Sequence, residues 1–155
     1  STALGLRQPT VARNALKATD PDRGLNLVGG FYLHSLIGVE QSLGNSRAVL
    51  ENARKGERRK PRWILYRVYE ARELARLERW TDLSAAIERA EMEYDRPVDA
   101  ARAVVAAHAA ASLLMRGRDV EARRIAEEYW RPAFTAFSAC QRPKRRDAFT
   151  LPPRP

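Results

Sequence analysis

Apolar residues of this chain repeat at helical spacing from Leu25 to Cys140, and nowhere do Val, Ile and Thr alternate with polar residues as a strand requires. Residues 1–23 are polar. Asp20-Pro21-Asp22-Arg23-Gly24 is turn chemistry, and Gln8–Lys17 reads as a short helix with Pro9 in its first turn. A first long helix is predicted over about 25–43. Val28, Tyr32, Ser35 and Val39 share one face, with Phe31, Leu33, Leu36 and Ile37 beside it. Gly29, Gly30 and Gly38 lower its propensity, and their expected role is close helix–helix approach. Gly44-Asn45-Ser46 breaks the pattern. Ser46 is expected to cap a second helix over 47–55, which Gly56 ends before a charged loop, Glu57–Lys60. A third helix, 62–79, carries Ile64, Leu65, Val68, Ala71 and Ala75 in register. Thr81 or Asp82 caps a fourth, 83–94, closed by Arg96-Pro97. The fifth, 98–116, has Asp99 in its first turn and eight alanines between 100 and 111, a thin profile that neighbours can pack on several sides. Gly117 ends it. A sixth helix spans 119–130 up to Arg131-Pro132, and a seventh, 133–140, carries Phe134 and Phe137. Pro143, Pro152, Pro153 and Pro155 deny the last fifteen residues any regular element.

The expected fold is therefore all-α. It has three antiparallel helix hairpins, as a repeat or a compact bundle, in a domain over 25–140. An extended polar N-terminal arm (1–23) precedes it, and a basic proline-rich tail (141–155) follows. At 155 residues the chain is long enough for a real core.

The hairpins carry a period. Pro61, Pro97 and Pro132 close the three pairs at spacings of 36 and 35 residues. Small apolar pairs four apart recur in each second helix: Val49/Ala53, Ala86/Ala90 and Ala122/Ala126. The segments Arg79–Pro97 (RWTDLSAAIERAEMEYDRP) and Gly117–Pro132 (GRDVEARRIAEEYWRP) show it most clearly. Over about 25–132 the pattern resembles a tetratricopeptide-type repeat. The first helices depart from that family by lacking its Trp-x-x-Leu-Gly-x-x-Tyr pattern. The resemblance implies an adapter that holds a protein partner between stacked hairpins.

Charge changes the picture. The net charge is +9, and the cations are 24 Arg against only 4 Lys. Arg favours bidentate contact with phosphate or carboxylate and stacks on flat rings, so a polyanion is the expected partner: nucleic acid, or else an acidic protein surface. A homo-oligomer or larger assembly is also compatible. Two clusters stand out. Arg54, Lys55, Arg58, Arg59, Lys60, Arg62 and Arg67 gather around the second-to-third helix junction, with Trp63 and Tyr66 interleaved as rings on which unpaired bases could stack. Arg142, Lys144, Arg145, Arg146 and Arg154 lie in the tail, a composition common to nucleic-acid arms. Arg116, Arg118, Arg123 and Arg124 form a smaller group.

Chemistry-bearing residues are sparse. Cys140 is the single cysteine, so no internal disulfide and no Cys-based zinc site can form. His34 and His108 are far apart in sequence, and each is expected to be a packed, hydrogen-bonded histidine. Acidic residues interleave with Arg, as in Glu73 with Arg76 and Glu121 with Arg124, the pattern of solvated ion pairs. There is no P-loop, no Gly-rich dinucleotide turn and no His-x-x-x-His helix. The expectation is a non-enzymatic protein without cofactor or metal. The longest uncharged run, Gly24 to Val39, is too short to span a bilayer, which favours a soluble intracellular protein with no transmembrane segment.

Overall fold

A computed structural model describes residues 8–18, 26–61, 63–91 and 98–140, with backbone alone over 26–31 and 132–140. The described residues form seven helices and no strand: α1 (Pro9–Ala18), α2 (Asn26–Ser42), α3 (Ser46–Arg59), α4 (Ile64–Arg76), α5 (Trp80–Glu88), α6 (Val98–Leu114) and α7 (Asp119–Cys140). The all-α expectation holds. None of these helices is long and apolar enough to cross a membrane.

Helix α4 is central. It packs against α3, α5 and α6, while α2 rests on α3, α1 on α2, and α7 on α6. Val68, Ala71, Leu74 and Ala75 of α4 join Leu83 and Ile87 of α5, Val105, Ala109 and Leu113 of α6, and Ile125 and Tyr129 of α7 in the larger core. Tyr66 and Tyr69, on another side of α4, meet Leu33 and Ile37 of α2 and Val49 and Ala53 of α3 in a smaller one. A helix covered on several sides buries more than one apolar stripe. On α4 it buries nine of thirteen residues, including Arg67, Glu70 and Glu73. Alanine-rich α6 is thin enough to meet α4, α5 and α7.

Three helix ends share one geometry. Gly44 (φ 69°), Glu78 (φ 56°) and Gly117 (φ 71°) are left-handed. After each, a backbone N–H reaches back five residues: Asn45 to Glu40, Arg79 to Leu74, and Arg118 to Leu113, at 2.9–3.0 Å. This is the Schellman arrangement, which satisfies carbonyls stranded at a helix C-terminus. Glycine accepts the left-handed turn without a Cβ penalty. Glu78 carries that penalty, and its carboxylate pairs with Arg118.

Several boundaries differ from expectation. The short helix expected at Gln8–Lys17 runs over Pro9–Ala18 with Ala12 buried, so this part of the arm is helical and not extended. Asn45, not Ser46, caps α3, its side chain accepting from the Ala48 N–H at 3.4 Å. Helix α3 runs through Gly56 to Arg59. Gly56 is a packing residue there: any Cβ would fall inside the Tyr66 ring. Gly38, by contrast, has nothing among the described residues within 4 Å of its Cβ position, so no close approach to them explains it. Helix α4 starts at Ile64 and ends at Arg76, inside its expected bounds. Helix α5 starts at Trp80 with no side-chain cap, and Asp82 instead accepts from Arg79 Nε at 2.7 Å. Helix α7 continues past Pro132 to Cys140. Proline removes one N–H donor at that position, and the helical bonds on either side propagate across the gap. The tail and residues 92–97, which include the expected end of the fourth helix, lie outside the described residues.

Candidate nucleic-acid interface

The junction cluster separates into outward and inward groups. Helical spacing puts Lys55, Arg58 and Arg59 on the solvent side at the end of α3, and Lys60 follows; all four are exposed. Lys60 Nζ sits 5.1 Å from the centroid of the half-buried Trp63 ring, a cation–π contact. Trp63 in turn meets Tyr66 edge-to-face, with centroids 5.1 Å apart. Trp63 is thus the aromatic at this surface that solvent reaches.

Two predicted contact residues, Tyr66 and Arg67, point inward, and a third, Arg54, is paired while staying partly exposed. Tyr66 is 1% exposed beneath Gly56, so it cannot stack on a base. Arg67 is buried, with Nη1 donating to Glu70 Oε2 at 2.8 Å and Nη2 paired with Glu57. Arg54 Nε donates to the other Glu70 oxygen at 2.8 Å, and Arg89 adds a longer approach at 3.8 Å. Glu70, 1% exposed, therefore gathers guanidinium groups from α3, α4 and the end of α5. Burial pulls the Arg67 pKa below its ordinary value, and Glu70 opposes that shift. Tyr66 and Arg67 are withdrawn from the contact set, and Arg54 is largely engaged. The physical reason is that a charge on the apolar side of a helix must be paired to be buried. Arg67 and Glu70 stand three apart among Tyr66, Val68, Tyr69 and Ala71, and that flanking was the legible signal. Arg62 and the tail residues Arg142, Lys144, Arg145 and Arg146 lie outside the described residues.

The remaining candidates resolve as follows. Arg118 binds Glu121 and Glu78 and lies 5.9 Å from the Trp80 ring centroid. The hydrogen bond from Arg118 lowers the Glu121 pKa and raises that of Arg118. Glu73 is buried rather than solvated, and it pairs with the partly exposed Arg76. His34 Nδ1 hydrogen-bonds the Tyr69 hydroxyl at 2.5 Å, while His108 is exposed. No group of three or more His, Cys, Asp and Glu is placed to hold a metal among the described residues.

Along α3, Arg47, Arg54 and Arg58 fall on one face. With Arg79 and Arg89 they line two adjoining concavities of about 560 and 440 Å³ that share Arg54 and Arg58. No family model matches the chain, and no curated protein and no solved structure is significantly similar to it.

Burial also sets an alkaline limit. The phenols of Tyr66, Tyr69 and Tyr129 are raised above 10.0, in each case chiefly by desolvation. A raised folded-state value means the folded chain holds phenol protons that the unfolded chain releases. That stability is fully present below about pH 10 and is lost as pH rises through the folded values. Melting temperature is expected to fall with rising pH above about 10, and Tyr66→Phe to make the fall shallower. Identical alkaline profiles for the two proteins would contradict this.

Proposed function

We propose that the chain is a non-enzymatic, intracellular nucleic-acid-binding protein with a structural, packaging or ribonucleoprotein-assembly role. The observation that carries this reading is the sorting of charge at the end of α3. Glu57 and Glu70 turn inward to Arg67 and Arg54, leaving Lys55, Arg58, Arg59 and Lys60 as an outward cationic group beside Trp63. Exposed cations of this kind suit a phosphate backbone, and a ring that solvent partly reaches suits an unpaired base. The basic tail, Arg142 to Arg146, would extend the contact.

Fluorescence anisotropy with random single- and double-stranded oligonucleotides tests it. Neutralising Lys55, Arg58, Arg59 and Lys60 together to Gln is expected to flatten the log K against log salt slope on duplex by roughly 3–4. Affinity weaker than about 10 μM at low salt, where sequence-independent binders are at their tightest, would sink the reading.

A second reading, a tetratricopeptide-like adapter for a protein partner, is favoured by the shared Schellman ends at Gly44, Glu78 and Gly117. These would pair α2 with α3, α4 with α5, and α6 with α7. Its mark would be a peptide affinity insensitive to salt, because contacts in a groove between hairpins depend little on screening.

A further inference from the structure

At the opposite end of α3 from the basic junction lies a separate concavity of about 540 Å³. Its walls come from three places: the α2–α3 turn with Ser46, the exposed side of α4 with Arg72 and Arg76, and the end of α6 with Met115 and Arg116. The volume falls within the roughly 300–1,000 Å³ usual for small-ligand sites. Three guanidinium groups border it against a single carboxylate, Glu73. That carboxylate is buried and already paired, since Arg76 Nε donates to Glu73 Oε1 at 2.8 Å. Arg116 Nη1 donates to the Arg76 carbonyl at 3.4 Å, which fixes its position without neutralising it. Arg72 has no carboxylate partner among the described residues. Ser112 Oγ bonds the Arg72 carbonyl at 3.5 Å and ties α6 to α4 behind the pocket.

Two guanidinium charges thus face one concavity from different helices, and neither has an acidic partner among the described residues. Holding them together without an anion costs repulsion. Ser46 is the first residue of α3, so the positive end of that helix dipole adds to the same field. A carboxylate presents two oxygens in one plane and is satisfied by a single Arg fork. Donors arriving from two directions suit a group with three oxygens spread around a tetrahedron. We infer that this pocket binds the phosphate group of a small phosphate monoester, with Arg72 and Arg116 as its principal ligands and Met115 as an apolar wall for the rest of the molecule. The site is independent of the proposed nucleic-acid surface, because none of its lining residues belongs to the outward cluster at 55–60.

Isothermal titration calorimetry of the full chain with adenosine 5′-monophosphate, inorganic phosphate, adenosine and succinate tests this. The monophosphate and inorganic phosphate should bind, and adenosine and succinate should bind at least tenfold more weakly. Arg116→Gln, at an exposed helix end where folding is not at risk, should weaken monophosphate binding about tenfold, the usual cost of one charge-assisted contact. Arg72→Gln should do the same if it folds, as circular dichroism will report. The Lys55/Arg58/Arg59/Lys60→Gln variant should bind the monophosphate as the parent does. Equal affinity for succinate would make the site a general anion or carboxylate site and overturn the inference. So would equal affinity for adenosine, an unchanged affinity in Arg116→Gln, or a loss confined to the junction variant. Failure of oligonucleotide binding would leave this result untouched, so the two readings fail separately.

Discussion

Arg67→Met is expected to destabilise the chain by about 3–5 kcal/mol, a large share of the 5–15 kcal/mol that holds a typical domain together. Arg67 is buried between Glu57 and Glu70, and Glu70 is 1% exposed. Methionine keeps the aliphatic length and removes the charge. Glu70 then retains Arg54 on one oxygen, and on the other only the distant Arg89 at 3.8 Å. A buried carboxylate with an unpaired oxygen costs far more than the ion pair itself contributes, because desolvation is no longer offset. Arg54→Met is the comparison: it frees the other Glu70 oxygen, but it removes a side chain that is 43% exposed, so water can reach the oxygen left behind and the cost should be clearly smaller than that of Arg67→Met. The double variant Arg67→Met/Glu70→Leu should recover much of the loss, since it removes both charges from the interior. Urea melts of the four proteins measure this. A double variant no more stable than Arg67→Met would refute the account.

Gly56→Ala is expected to cost about 1–3 kcal/mol, although glycine-to-alanine in a helix interior ordinarily gains up to about 1 kcal/mol. The sign reverses because the new methyl would occupy the space of the Tyr66 ring, and that ring is held between α2, α3 and Trp63. Gly38→Ala supplies the contrast. It lies within α2, and none of the described residues stands within 4 Å of the added carbon, so propensity should dominate and stability should rise. Shortening the ring by Tyr66→Leu should make Gly56→Ala less costly than it is in the parent, a non-additivity expected only for groups in contact. Thermal melts of these variants decide the matter, and additive effects would mean that Gly56 and Tyr66 do not meet as described.

The helical class and most of the helix positions were legible, because a period near 3.6 with Gly or Pro at the breaks admits little else. The outward part of the junction was legible too, since consecutive cations at 58–60 have nowhere to go but solvent. Other features were obscured for identifiable reasons. A glycine in a helix reads as a terminator, and only the three-dimensional approach of Tyr66 shows Gly56 to be a packing residue. An arginine carries the same letter whether it meets water or Glu70, so Arg67 was grouped with its exposed neighbours. Proline reads as a stop, yet α7 passes Pro132. The pocket at Arg72 and Arg116 had no local signature at all, because its walls come from segments near 44, 74 and 114 that only the fold brings together.

Helix α4 has one side in each of the two cores, while α1 belongs to neither. Local opening should therefore follow a hierarchy. Helix α1 can detach at small free-energy cost, whereas the amides of α4 become accessible only when both cores are lost together. Protection against solvent exchange would be graded outward from this one rod, and the two cores would behave as a single cooperative unit hinged on it.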